Sequence, residues 1–598
     1  MDQEAKNSLL RKAQEHIAHT QELLAVERVK VQTLVDTKVT GAKVEDKWTG
    51  EYVKALNRNR LIELDRLGGS PYFSKCSCTF DGTTKDYYFS KFSFTEASIY
   101  SWVAPIASLR FDSPGAVSYQ IPSGKVRAGA LHNKDEFQIT DGKILFFAHE
   151  SEEKSRTLIH QEHFSTRKSG FLLPEIVSKM EKVQDTIIRA HYNNPFVVSG
   201  PAGSGKTTLA LHRIAYLMQA PASTEIYKNS SIVVFVQDQR SKEYFSHLLP
   251  DLGITTVSVV TFTEWAMDIL DDATISAVGA YSNDLFYEQE KVRAMRSVLE
   301  RDRAPKFSKN YFSLLEKIYT PYISEASLTH FKEQKKLRVL DRIDLTILLT
   351  LYRKSRAKMA ITKRSFVAGD DGGFVEKERK ENINYMLMVV DEFQNYLPEQ
   401  LTILKACVDE EHKSTIYVGD IAQQINPGAI RDWAEIDEII PQDRIILLDK
   451  VYRTTKTILE FIQTLGYTVS IPSSIREGSE VFDKRFSSKL DALEYIRDII
   501  TKRQERESVG ILGMDIDIVR ELQNEIDTDE FVHCMTARES QGLEFDTVCI
   551  VGFDPDTYFN NHKSFPEHFQ KEKEKIDRDL LYIALTRAIS NLHMVQFT

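Results

Sequence analysis

The stretch that most constrains this chain is GPAGSGKTT, residues 200–208. It matches G-x-x-x-x-G-K-[ST] in full, with a buried-strand pattern (PFVVSG) before it and an apolar helix pattern (LALHRIAYLM) after it. That context is what such a loop needs: glycines let backbone N–H groups close around phosphate oxygens, and the helix N-terminus adds positive potential. The binding residues are therefore expected at Gly200, Pro201, Ala202, Gly203, Ser204, Gly205, Lys206, Thr207 and Thr208. Lys206 should reach the β- and γ-phosphates of ATP, and Thr207 should ligate Mg²⁺.

A second acidic signal belongs with the loop. MLMVVDEFQN, residues 386–395, is an apolar strand ending in Asp391 and Glu392. An acid at the strand tip can hold Mg²⁺ through its water shell, and the next can orient or deprotonate an attacking water. Arg453, in LDKVYRTT, and Arg587, in LLYIALTRAI, are candidate partners for the charge that gathers on a γ-phosphate. A lone helical arginine is more often a surface ion pair, so the flanking residues must decide.

With 598 residues the chain exceeds one core, since single cores stop growing at roughly 250–300 residues. The net charge of -10 argues against non-specific coating of nucleic acid, while leaving room for a local basic channel. The five cysteines, at 76, 78, 407, 534 and 549, form no CxxC pair and are expected to be reduced structural thiols. The N-terminus has no apolar signal region and no run long enough to span a membrane, so a cytoplasmic protein is expected.

The chain divides by pattern. Residues 1–69 suggest an antiparallel helical hairpin, either a solvated element or an arm reaching a partner; residues 70–150, punctuated by FDGTTKD, DSPG, PSGK and TDGK, suggest a small β-rich module. From there the pattern is α/β: 151–261 and 386–440 as the two parts of a first lobe, 262–385 as a helical insertion within it, and 441–598, starting with RIILLD, as a second lobe.

In order, VQDTIIR, GPAGSGKT, VVDEFQN, VGDIAQQI, LDKVYRTT, TARESQGLEFD and LLYIALTRA resemble the boxes of superfamily 1 motors of the UvrD/Rep type. The resemblance implies two RecA-like P-loop lobes with ATP between them. It also implies that Gln184 reads the adenine edge, Tyr452 stacks on the base, Gln423 senses the γ-phosphate, Glu544 touches the ribose, and Arg453 and Arg587 cross the cleft. By the same resemblance Thr261, Phe262, Trp265 and Thr536 are candidates for nucleic-acid contact, with ordinary core packing the competing reading for the aromatics. The N-terminal third, from GSPYFSKCSCTF to FQITDGKI, is similar to the HelD branch, whose members bind bacterial RNA polymerase.

Three departures stand out. The N-terminal arm is short for HelD. Only residues 454–535 separate the YR and GLEFD boxes, leaving no space for the large domain that UvrD carries there. After GDIAQ, where the UvrD type offers aromatics to bases, this chain has Asn426, Pro427 and Gly428; Gln541 stands where a lysine is usual. Stacking on an aromatic is worth about 1–3 kcal/mol per base, so that loss bears on function. The functions in view are thus a motor moving 3′ to 5′ on single-stranded nucleic acid, DNA rather than RNA, a factor that releases RNA polymerase, or an ATPase acting with a separate nuclease.

Overall fold

The computed structural model describes residues 3–36, 44–121, 125–151, 182–190, 193–201, 204–219, 226–227, 232–251, 254, 257–282, 284–299, 304–356, 358–368, 374–448, 454–471, 475–504, 507–529, 531–554, 558 and 560–597. Two compact units emerge. Of the described residues, 3–190 and 215–219 fall in the first, and 193–214 and 226–597 in the second.

The first unit begins with helices Gln3–Asp36 and Val44–Gly69. Ile17, Leu24 and Val31 recur every seven residues and are buried with Ala13, the spacing that keeps one seam facing a partner helix. Gln21 bonds the carbonyl of Gly68 and Arg28 pairs with Asp65 at 2.7 Å, so the helices run antiparallel. They pack on a sheet whose path is β3-β2-β1-β5-β4, with β6 on β5: β1 Ser74–Phe80, β2 Thr83–Ser90, β3 Ile99–Ser101, β4 Gly115–Gln120, β5 Val126–Thr140 and β6 Lys143–Ser151. Asp81-Gly82 and Asp141-Gly142, all at positive φ, close the β1–β2 and β5–β6 hairpins. Tyr72 donates to the carbonyl of Ala13, and the His16 ring stacks on Tyr88 at 3.7 Å, joining helix to sheet.

Helix Lys182–Arg189, which the sequence pattern places in the first lobe, groups by its contacts with this module. Arg189 bonds Asp185 at 2.8 Å and donates to the carbonyls of Trp102, Val103 and Ala104. A helix-period pattern gives no sign of which neighbour its arginine will find.

Among the described residues, the second unit holds two large all-parallel sheets. The first has the order β16-β7-β15-β14-β8-β9: β7 Phe196–Ser199, β8 Ile232–Val236, β9 Ser258–Thr261, β14 Leu387–Asp391, β15 Thr415–Gly419 and β16 Ile445–Leu447. Strands β8, β14 and β15 are buried at every residue, as continuous Val/Ile runs require. The phosphate loop, Asp391 and the GDIAQ box all follow carboxyl ends of neighbouring strands, where ligands of parallel α/β sheets bind.

The strand in RIILLD, assigned from sequence to the second lobe, lies at the edge of this first sheet. Ile445 pairs with Val197, and Leu448 N–H donates to the carbonyl of Ser199 at 2.7 Å. A short apolar run announces a strand without announcing its sheet. The second sheet runs β17-β21-β20-β18-β19: β17 Phe482–Phe486, β18 Val509–Gly513, β19 Val532–Thr536, β20 Phe545–Val551 and β21 Ala588–Phe597. Helices Lys456–Thr464 and Glu567–Thr586 cover one face; Lys489–Lys502 and Ile516–Glu525 cover the other.

Residues 262–385 are not helical throughout. Among the described residues, five helices (Phe262–Leu270, Leu285–Leu299, Tyr311–Tyr319, Glu325–Leu337, Arg342–Ser355) and a short parallel pair, β10 Ser276–Val278 with β11 Val339–Asp341, precede an antiparallel hairpin of β12 Ala360–Ala368 and β13 Phe374–Asn382. The hairpin carries cross-strand pairs Lys363–Glu381 and Arg364–Glu378, so its charges mask the strand pattern. Phe262, Trp265, Tyr287 and Leu348 share one core with Phe235, Met388 and Val390, so this segment is continuous with the first sheet's hydrophobic face.

Candidate ATP site and adjoining cavity

The phosphate loop leaves β7 at Ser199. Gly200 has φ +155° and approaches Leu448 so closely that a Cβ would strike the Leu448 carbonyl; only glycine fits there. Gly205 has φ +83°, and helix Lys206–Gln219 starts immediately after it. Lys206 is buried, with Nζ donating to the Pro201 carbonyl at 3.1 Å. Thr207 Oγ1 donates to Asp391 Oδ1 at 3.2 Å, joining the loop to the end of β14. Among the described residues Ser204 Oγ is buried without a partner, and Thr208 is buried, its carbonyl 2.7 Å from His212 Nδ1. Ala202 and Gly203 lie outside the described residues, as do Tyr452 and Arg453.

Burial pushes the Asp391 carboxyl up to about 8; the Glu392 charge adds to this, while the Thr207 hydroxyl and Lys206 ammonium pull it back. A buried acid beside a second acid is a poor place for two negative charges and a good one for a divalent cation. Glu392 itself turns sharply out of the strand at φ +50°.

Sequence reasoning assigned roles to Asp391 and Glu392 but passed over the next two polar residues. Gln394 and Asn395 are fully buried amides, and both are bonded. Gln394 Nε2 donates to Glu392 Oε2 at 2.5 Å, and its Oε1 accepts from the N–H of Asp420 at 3.0 Å. Asp420 Oδ2 in turn accepts from Gln423 Nε2 at 2.7 Å. Glu392 and Gln423 are thus linked through Gln394 and Asp420. Asn395 Nδ2 donates to Gln541 Oε1 at 2.8 Å, so Gln541 touches the first α/β body from the second.

The stretch INPGAI does not face open space. Residues 423–430 are all buried. Asn426 donates to the Asn395 carbonyl and accepts from Arg538, which also bonds the Ile425 carbonyl. The N–H of Gln424 donates to Asp579 at 2.9 Å and that of Gly428 to Glu572 at 3.0 Å, both on helix Glu567–Thr586. Gly428 has φ +70°, and a Cβ there would sit 2.6 Å from Val292 Cγ1. The expectation that this loop turns toward a base is therefore corrected: small residues stand here because two helices close over it.

Of the other candidates, Thr261 caps helix Phe262–Leu270, accepting from Glu264 N–H at 3.2 Å. Phe262 and Trp265 are core residues; Trp265 Nε1 donates to the Tyr385 hydroxyl at 3.1 Å and its ring meets Phe235 edge-on. Thr536 ends β19 with its N–H and hydroxyl on Glu539. Glu544, half-buried, precedes β20. Arg587 is buried, donating to the carbonyls of Leu543 and Ile583 within the second body. Gln184 sits half-buried on helix Lys182–Arg189 of the first unit.

One cavity of about 370 Å³ is lined by Thr207, Asp391 and Glu392 as well as by Thr261, Phe262 and Thr263, and the second body contributes Arg538 and Gln541 to its wall. Among the described residues no cluster of three or more His, Cys, Asp or Glu side chains could hold a metal, and no helix is long and apolar enough to cross a membrane.

Comparison with known proteins places these parts. Residues 184–429 match the AAA domain family model, and residues 491–598 match the UvrD-like helicase C-terminal domain model. The ATP-dependent DNA helicase UvrD1 of Mycobacterium tuberculosis (H37Rv) is 23% identical over 376 residues, covering 59% of this chain and 46% of the relative. The Mycobacterium leprae protein of that name is 22% identical over 299 residues, covering 45% of this chain and 37% of its own length. The chain spans about half the length of the curated relatives it matches. Among solved structures, the C-terminal domain of a possible DNA helicase from Lactobacillus plantarum is 18% identical, covering 25% of this chain and 88% of that one, with a TM-score of 0.19.

Proposed function

We propose that this chain, which carries an AAA domain and a UvrD-like helicase C-terminal domain, is an ATP-hydrolysing motor of the superfamily 1 type acting on single-stranded nucleic acid, DNA in preference to RNA, in the 3′-to-5′ sense. The observation that carries this reading is the cavity whose wall includes the Thr207–Asp391 pair, the Thr261 helix cap and residues of both α/β bodies. A ligand there meets the nucleotide boxes and the strand candidates together. In this reading the two bodies are RecA-like lobes.

The donor set suits ATP with Mg²⁺: a hydroxyl, a buried acid and a loop with an unpartnered serine. Bound Mg²⁺ would offset phosphate charge, with Thr207 and Asp391 holding it. Lys206 orients the β- and γ-phosphates, Glu392 takes the proton of the attacking water, and Gln423 senses the γ-phosphate, linked to Glu392 through Asp420 and Gln394. Arg453 and Arg587 supply charge from the second lobe; Tyr452 and Glu544 hold base and ribose. Lys206→Ala should abolish ATP turnover while leaving the fold intact; full turnover in that variant would overturn the site.

A second reading has one observation in its favour. The antiparallel helices Gln3–Asp36 and Val44–Gly69 are seated on a β-rich module, as a HelD-like factor would require to engage bacterial RNA polymerase. In that case turnover would respond to polymerase and not to bare strand, in the cytoplasm.

A further inference from the structure

Three charged groups on the cavity wall are paired in an unusual way. Glu288, on helix Leu285–Leu299, is 2% exposed, and Arg342, at the start of helix Arg342–Ser355, is 7% exposed. Arg342 Nη2 donates to Glu288 Oε2 at 3.0 Å, and Arg538, from the second α/β body, brings Nη2 to 3.6 Å from the same oxygen. Among the described residues, Glu288 Oε1 and Arg342 Nη1 are buried with no partner. All three residues line the cavity that also holds Thr261 and Thr263.

The charges do not balance within this group. Two guanidinium ions share one carboxylate oxygen, and each side keeps a buried polar atom unbonded, which is costly in a low-dielectric wall. The neighbouring carboxylates Asp341 and Asp344 do not relieve it, since both pair with Lys291, at 2.5 and 2.7 Å. A guanidinium fork fits a carboxylate and a phosphate alike, since both present paired anionic oxygens. A phosphodiester entering the cavity could use Arg342 Nη1, which Glu288 leaves idle.

We propose that Arg342 and Arg538 form a binding site for one phosphodiester group of a nucleic-acid strand, and that Glu288 fills this site from within until a strand displaces it. The proposal rests on the strand-motor reading above and adds where one backbone phosphate sits and what holds the place empty. Because Arg538 also bonds the Ile425 carbonyl and Asn426, the loop that follows Gln423 shares a residue with the site.

The test uses the full chain and a labelled single-stranded oligonucleotide, with Kd measured by fluorescence anisotropy between about 50 and 200 mM salt. Glu288→Gln should tighten binding on the order of tenfold and steepen the dependence of log K on log salt, since it frees a cation for phosphate. Arg342→Gln should weaken binding on the order of tenfold and lower the slope by about 0.7, the contribution of one single-strand phosphate. Should Arg342→Gln fail to fold, Arg342→Lys carries the test: it keeps the charge and loses the fork, so affinity falls with the slope retained.

If wild type binds strand and the variants match it in Kd and slope, the three residues are only a brace between helices; the site is then refuted and the motor reading stands. If Arg342→Gln weakens ATP binding and leaves strand binding unchanged, the group serves nucleotide phosphates and the proposal fails. If Glu288→Gln binds strand where wild type does not, the self-filled site is upheld. If neither binds, both the site and the strand-motor reading fall.

Discussion

Gly428→Ala tests the loop that replaces the missing aromatics. At φ +70° a β-carbon costs about 1–2 kcal/mol relative to glycine. The new methyl would also lie 2.6 Å from Val292 Cγ1 and 3.4 Å from Leu397 Cδ2, an overpacking worth about 1–3 kcal/mol. Together the loss should be about 2–5 kcal/mol. Val292→Ala alone removes buried methyls from the core and should cost about 2 kcal/mol. In the double variant the steric part vanishes while the backbone part stays, so the two costs should fall short of additivity by about 1–3 kcal/mol. Urea unfolding of the four proteins, followed by the fluorescence of Trp265 and Trp433 in and against this core, measures the cycle. Strict additivity would show that residue 428 does not face Val292, and the account of a closed loop would be wrong. The same geometry predicts that aromatics at 426 and 428 lower stability and leave strand-stimulated turnover no higher.

Trp265→Phe should cost about 1 kcal/mol, the hydrogen bond to Tyr385, and leave strand affinity unchanged; a large loss of affinity without loss of stability would make Trp265 a strand contact. Lys291→Met leaves Asp341 and Asp344 buried without their cation and should destabilise by about 3–5 kcal/mol in urea unfolding. Burial raises the Asp579 carboxyl to about 6 against the pull of Lys575 and the Gln424 N–H. A raised carboxyl favours the protonated fold, so its contribution is fully present below about pH 4 and is lost as pH rises through about 6, on the order of 2–3 kcal/mol. Asp579→Asn should lack that loss: the stability of wild type relative to the variant falls between pH 4 and 6.5 and is flat above, as melting temperatures across pH would show.

What could be seen in the sequence was whatever is local. The phosphate loop between a strand and a helix, the two acids ending an apolar strand, and the Asp-Gly turns of the N-terminal module all depend on neighbours within a few residues. What could not be seen depended on partners far along the chain. Ile445–Leu447 has a strand's composition, and only pairing with Val197–Ser199 decides its sheet. The hairpin 360–382 hides behind cross-strand charge pairs that resemble a solvated helix face. INPGAI looks like a base-facing loop without its aromatics because Glu572, which accepts from the Gly428 N–H, and Arg538, which donates to the Ile425 carbonyl, lie 144 and 113 residues away in sequence. Gln394 and Asn395 were legible in principle: two amides directly after a buried strand need partners, and here the partners are the neighbouring boxes.

The central claim is that ATP turnover answers to a strand. Turnover measured alone, with single-stranded DNA, with single-stranded RNA and with purified RNA polymerase, at low and high salt, tests it directly. The account predicts strong stimulation by single-stranded DNA that falls steeply with salt and disappears in Lys206→Ala. Turnover indifferent to either strand, with a stable polymerase complex that stimulates it, would contradict the strand motor and leave the polymerase-releasing reading in its place.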